Sequence, residues 1–146
     1  MTMSELIALM SGIWSGNETI VMGPDANLSA SGEFETCSTL NGSGCRSSYR
    51  QMVSGSPGMV CETLYRFGPD DAVTMVWLPG EGEPQIFQGT RKGAVLSVST
   101  VSAEGLKQVQ IADYSKPDQL QSRMLITFPD GSESEVFSAC YERNQA

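Results

Sequence analysis

Few of the residue types that usually carry out catalysis occur in this sequence, and histidine is absent from its 146 residues. Without histidine the chain lacks the Ser-His-Asp and Cys-His routes to an activated nucleophile. It also lacks the usual proximal ligand of haem. The four cysteines, Cys37, Cys45, Cys61 and Cys140, contain no Cys-x-x-Cys pair, which argues against a zinc site. We therefore expect neither a metal nor a cofactor.

A carboxylate, two phenols and a guanidinium remain as candidates for acid–base chemistry. Glu18, Tyr65, Arg123 and Tyr141 could supply a general acid and a general base without histidine. Such chemistry requires the four side chains to converge within hydrogen-bond reach of one point. The sequence leaves enzymatic activity undecided, and we rank it behind a binding function and behind a purely structural one.

The charge balance restricts the partners. Seventeen Asp and Glu residues against nine Lys and Arg residues give a net charge of −8. Because clustered positive charge drives binding to phosphate groups, we expect neither a nucleic acid nor a membrane as partner. No stretch approaches the about 20 apolar residues of a membrane span, and the N-terminus does not resemble a signal peptide. These features predict a cytoplasmic, bacterial protein with reduced thiols.

The elements that must position these groups begin with one short helix. Thr2 and Glu5 are spaced as a capping box. Four apolar residues then follow at helical spacing and form one face, namely Met3, Leu6, Ile7 and Met10. Gly12 ends the helix. A helix this short cannot form a core alone, so we expect it to plug a larger structure.

After the helix, nine breaks rich in Gly, Pro, Asn and Asp divide the chain into ten candidate strands. Asn41-Gly42 is the strongest hairpin signal among these breaks. The predicted strands span residues 12–22, 28–40, 45–54, 58–67, 71–79, 84–91, 94–102, 106–114, 119–129 and 133–143.

Apolar and polar residues alternate within these segments, which is typical of antiparallel hairpins. Leu120, Ser122 and Met124 fall on one side of their strand, for example, and Gln121 and Arg123 fall on the other. A meander of about ten strands exposes its edges unless it closes on itself. We therefore predict an all-β fold in which residues 1–146 form a single domain, an antiparallel up-and-down β-barrel with the N-terminal helix plugging one end.

A barrel of about ten strands should enclose more space than its own side chains fill, because eight strands already leave room for one small ligand. Glu18 lies on the same side of its strand as Trp14, and a buried glutamate needs partners. Large aromatic residues on inward faces could form a cavity wall or an ordinary core, since both use the same residue types. The candidate cavity residues are Trp14, Glu18, Tyr65, Trp77, Phe87, Arg123 and Tyr141.

The order of these signals resembles the calycin superfamily, the lipocalins and fatty-acid-binding proteins. The matching features are the N-terminal helix followed by Gly12-Ile13-Trp14, the run of hairpins, and the C-terminal Tyr141-Glu142-Arg143. More narrowly, the chain resembles a bacterial family of lipocalin-like domains of unknown function. The resemblance implies that Trp14 closes one end of the barrel and packs against Arg143 or Arg123.

The chain also departs from the fatty-acid-binding pattern. Residues 23–27 are too few for two lid helices between the first two strands. The Arg-x-Tyr pair that holds a fatty-acid carboxylate in that family is reversed here, as Tyr141-x-Arg143.

Taken together, the sequence predicts a β-barrel that binds a small apolar or amphipathic molecule. One alternative is a side-chain-filled barrel that associates with itself as a homodimer, and the other is a cavity enzyme that uses Tyr, Arg and Glu.

Overall fold

A computed structural model describes residues 1–144, which form one short helix and a closed barrel of ten antiparallel strands. The helix α1 spans Met3–Met10. The strands, numbered along the chain, are β1 (Gly12–Gly23), β2 (Ala26–Thr39), β3 (Gly44–Val53), β4 (Ser56–Phe67), β5 (Ala72–Pro79), β6 (Gln85–Lys92), β7 (Val95–Val101), β8 (Lys107–Asp113), β9 (Gln119–Thr127) and β10 (Glu133–Arg143). The predicted fold class is confirmed.

Each strand pairs with its neighbours in the sequence, and β1 pairs with β10 to close the barrel. At this closing seam Trp14 lies opposite Arg143 and Glu18 lies opposite Ala139. Short 3-10 turns at Leu40–Gly42 and Pro69–Asp71 join β2 to β3 and β4 to β5. Because each of the ten strands has a paired neighbour on both sides, the described barrel has no edge strand on which another chain could add.

Helix α1 covers one end of the barrel. Thr2 and Glu5 form the predicted capping box, in which each side chain bonds the backbone N–H of the other residue. Leu6 and Met10 are fully buried on the inward side. The helix has eight residues, and no described helix is long and apolar enough to cross a membrane.

The junction between α1 and the barrel is built around Trp14. Its indole N–H donates to the carbonyl of Met10 over 3.0 Å, and the Arg143 guanidinium lies 4.6 Å from the ring centre. Arg143 also donates to the carbonyls of Leu9 and Ser11, which the end of the helix leaves unpaired. One arginine therefore stacks on the plug residue and caps the helix at the same time.

A packed core lies next to this junction. Phe34 stacks on Trp14 with ring centres 6.2 Å apart, and Tyr114 meets the same indole edge-on at 5.7 Å. Phe67 and Phe87 are buried in the same apolar cluster. The helix end of the barrel is thus filled by side chains.

Candidate ligand cavity

Beyond this core, the barrel encloses a cavity of about 400 Å³, which is within the usual range for small-molecule sites. Most strands contribute to its wall, and apolar and aromatic side chains predominate. Principal lining residues are Ile20, Phe34, Tyr49, Gln51, Met59, Cys61, Thr63, Tyr65, Met75, Trp77, Leu96, Val98, Gln110, Ala112, Tyr114, Leu120, Ser122, Arg123, Met124, Phe137 and Tyr141. Met59 lines the cavity and is also 43% exposed, so the cavity reaches the surface beside the β3–β4 hairpin.

A polar cluster made of Glu18, Tyr49, Gln51 and Tyr141 is built into this wall. The Glu18 carboxylate is buried, and its Oε2 accepts the hydroxyls of Tyr49 and Tyr141 over 2.6 and 2.5 Å. The Gln51 side-chain amide donates to Oε1 over 2.9 Å. Three donors therefore satisfy a carboxylate that would otherwise be costly to bury.

Gly32 on β2 makes room for this cluster. A Cβ atom at this position would lie 2.1 Å from Glu18 Oε2 and 2.9 Å from Cε2 of the Tyr49 ring. Any larger residue would displace the carboxylate or the ring. The absence of a side chain at Gly32 thus leaves the space that the Glu18 carboxylate and the Tyr49 ring occupy.

The environment of the two phenols holds them in the protonated form. Burial, followed by the hydrogen bond to Glu18 and the nearby carboxylate charge, raises the pKa of both Tyr49 and Tyr141 well above the usual value. Burial likewise raises the pKa of the Cys61 thiol. Protonated phenols donate their only hydrogen to Glu18, so the cavity meets their oxygens as acceptors.

The structure distributes the predicted cavity residues over different places. The predicted residues that line the cavity are Tyr65, Trp77, Arg123 and Tyr141. Glu18 lies directly behind the wall, where it accepts a hydrogen bond from Tyr141. Trp14 and Phe87 are instead buried in the apolar core, Trp14 at the helix end and Phe87 opposite Met75.

Arg123 on β9 contributes to the cavity lining, but its guanidinium reaches the outer surface, where the Nε atom donates to Glu135 over 2.8 Å. The strand alternation explains this position, because Ser122 and Met124 on either side point inward. Arg143, not Arg123, is the arginine that packs on Trp14. The four acid–base groups that the sequence offered for catalysis therefore do not converge.

Sequence reasoning missed two members of the polar cluster, Tyr49 and Gln51. The available signal was the alternation along β3, where Cys45, Ser47, Tyr49 and Gln51 share the inward side. Which of these residues would meet Glu18 depends on barrel closure and strand register, which no local pattern encodes.

Cysteine, aspartate and glutamate side chains do not cluster as metal ligands within residues 1–144. No group of three or more Cys, Asp or Glu side chains there could hold a metal ion. All four cysteines are free thiols. On the outer surface, Arg46 pairs with Glu62 and Arg50 pairs with Glu33.

Comparison by sequence found no relative. No protein-family model matches the chain, and no curated protein sequence matches it.

Comparison by structure found 16 similar chains. Rv2717c from M. tuberculosis is 13% identical with a TM-score of 0.73, and the match covers 99% of both chains. The S-type phycobiliprotein lyase CPES from Guillardia theta is 9% identical with a TM-score of 0.69, covering 100% of this chain and 94% of that one. A third structure, EF1p2_mFAP2b bound to DFHBI, is 11% identical with a TM-score of 0.56, covering 98% of this chain and all of that one. At such low identity these likenesses establish the fold alone. The chain has a calycin-like fold, a closed ten-stranded barrel with a short helix at one end.

Proposed function

We propose that the protein binds a small apolar or amphipathic molecule inside the barrel, in the cavity lined by Tyr65, Trp77 and Tyr141. The observation that carries this proposal is unfilled space of about 400 Å³ with a mostly apolar wall and one built polar cluster. A mainly apolar pocket with a few well-placed polar groups is the usual form of a small-molecule site. One similar barrel was solved bound to the small molecule DFHBI, which supports the same use of the fold.

This function places the protein in the class of carriers or sequestering proteins. We infer that residues 1–146 act as one such domain in the cytoplasm of a bacterium, an inference that rests on the free thiols and the acidic composition.

Uptake of a neutral fluorogenic probe, N-phenyl-1-naphthylamine, tests the proposal directly. The matched variants are Ser122→Phe, which fills the cavity, and Ser97→Phe, which adds the same ring to the exposed side of β7. Ser122 lies between Ala112 and Ala139 on neighbouring strands, where an added ring has space.

We expect saturable fluorescence enhancement with wild type and with Ser97→Phe. In Ser122→Phe the added ring occupies space that the probe needs, so the affinity should fall at least about tenfold, which corresponds to about 1.4 kcal/mol of binding free energy. Probe binding that is absent in wild type, or unchanged in Ser122→Phe, would overturn the proposal. Organic extraction of the purified protein followed by mass spectrometry would then identify any natural ligand.

Self-association is a second candidate function, favoured by an outer apolar patch made of Val60, Leu78 and Ile86. All three side chains are exposed, on neighbouring strands β4, β5 and β6. Apolar residues grouped in this way commonly mark an interface. Sedimentation analysis should detect a weak homodimer, and Ile86→Asp should abolish it. Val101→Asp, at an exposed position of β7 outside the patch, should leave the dimer intact. A strict monomer at every concentration would exclude it.

A further inference from the structure

The polar cluster of the cavity carries a negative charge and offers a ligand only hydrogen-bond acceptors. The carboxylate of Glu18 receives three hydrogen bonds, two of them from the phenols that face the cavity. Each phenol has a single proton, and that proton is committed to Glu18. Tyr49 and Tyr141 can therefore offer a ligand only oxygen lone pairs.

No unpaired cation among the described lining residues counters this acceptor surface. Among the lining residues of the described chain, Arg123 alone is cationic, and its guanidinium is paired with Glu135 on the outside of the barrel. Arg143 is held at the helix end by Leu9, Ser11 and Asp118. The negative charge of Glu18 thus extends into the cavity without compensation from a basic side chain.

The apolar part of the wall determines what kind of body the ligand can have. Tyr65, Trp77 and Met75 contribute flat or adaptable apolar surface. Trp77 is also close to the thiol of Cys61, which is a small and weakly polar group. An aromatic body could lie against these side chains while its polar end reaches the two phenols.

From this arrangement we propose that the ligand carries a nitrogen hydrogen-bond donor, best a protonated amine, on an apolar aromatic body, and that carboxylates and phosphates are rejected. This inference rests on the proposed binding function and specifies its ligand class. A carboxylate head would meet only acceptor oxygens and a buried negative charge, which disfavours it electrostatically. An ammonium head would donate to both phenol oxygens and balance the charge of Glu18.

Isothermal titration with three ligands of matched shape tests this specificity: 2-naphthylmethylamine, 2-naphthalenemethanol and 2-naphthoic acid. At neutral pH and low salt, we expect the amine to bind at least about tenfold more tightly than the acid, with the alcohol between them. The reason is that the ammonium is attracted to the Glu18 carboxylate in a poorly solvated site, whereas a second carboxylate is repelled. In Glu18→Gln this preference should shrink to about threefold or less, since the charge is removed and the shape is kept.

Glu142→Gln is the matched control, because it makes the same change in net charge at an exposed position of β10. It should keep the wild-type preference. A double variant, Tyr49→Phe with Tyr141→Phe, removes the acceptor oxygens and should weaken the amine without improving the acid, which covers the case in which Glu18→Gln does not fold.

The failures of the two proposals are distinguishable. If the alcohol binds but the acid binds as tightly as the amine, or if Glu18→Gln keeps the full preference, the ligand class is wrong and the binding function stands. If none of the three ligands binds, the cavity proposal itself fails and this inference fails with it.

Discussion

At the scale of single residues, the molecule is unusual in burying a carboxylate among neutral donors. Glu18 satisfies its oxygens with two phenols and an amide that come from β3 and β10. The alternation along β1 was enough to predict that Glu18 points inward beside Trp14. Its partners were not predictable, because Tyr49 is 31 residues away and Tyr141 is 123 residues away, and only the closed barrel brings them together.

Removing one donor from this cluster should weaken the fold. Tyr141→Phe leaves Glu18 Oε2 with one fewer hydrogen bond in a buried position, and we expect the free energy of unfolding to fall by about 1–3 kcal/mol. Chemical denaturation in urea measures this. Tyr65→Phe is the control, because Tyr65 lines the cavity and is not one of the three donors to Glu18, and its cost should stay below about 1 kcal/mol. Equal losses in both variants would argue against a structural role for the cluster.

At the scale of elements, every predicted strand boundary lies within two residues of the observed one. Turn residues are responsible for this agreement, because Gly, Pro, Asn and Asp act locally and need no information about the rest of the chain. The predicted helix was equally local, with its capping box and one apolar face. Arg123 does contribute to the cavity lining, but its charged end pairs with Glu135 at the surface. The alternation along β9, which sets Arg123 opposite in direction to Ser122 and Met124, already indicated that exposure.

The helix α1 is predicted to contribute to the stability of the barrel through its buried side. Leu6→Ala should lower the free energy of unfolding by about 2–5 kcal/mol, because Leu6 is fully buried and the cavity it leaves cannot collapse completely. Leu40→Ala, on an exposed turn, should cost no more than about 0.5 kcal/mol. Urea midpoints of the two variants decide the matter. A small effect at Leu6 would mean that the barrel closes without its plug.

At the scale of the whole molecule, the barrel places all four tyrosines of the chain in and around its interior, where Tyr114 and Tyr141 are buried and Tyr49 and Tyr65 are half-buried. Burial raises the pKa of Tyr49, Tyr65, Tyr114 and Tyr141 above the usual value, and it raises the pKa of Cys45 to about 11. In the unfolded chain these groups lose their protons at their ordinary pKa values. Proton uptake is thus coupled to folding at alkaline pH.

This coupling predicts loss of stability in base. Above about pH 10 the unfolded chain binds fewer protons than the native barrel, so the free energy of unfolding falls as the pH rises, by up to about 1.4 kcal/mol per pH unit for each tyrosine. Urea unfolding at a series of pH values, with tyrosinate absorbance recorded in parallel, checks this. Tyr65→Phe should make the decline shallower. Stability that stays constant across this range would contradict the burial of the phenols.

The central claim is that a small molecule occupies the inside of the barrel, and methionine methyl groups report on this most directly. Met75 and Met124 line the cavity, while Met22 and Met52 are exposed outside it. In ¹³C-methyl NMR, titration with N-phenyl-1-naphthylamine should shift the signals of Met75 and Met124 saturably and leave those of Met22 and Met52 in place. Shifts confined to Met22 and Met52, or no shift at Met75 and Met124 at saturating probe, would contradict a ligand site in the barrel.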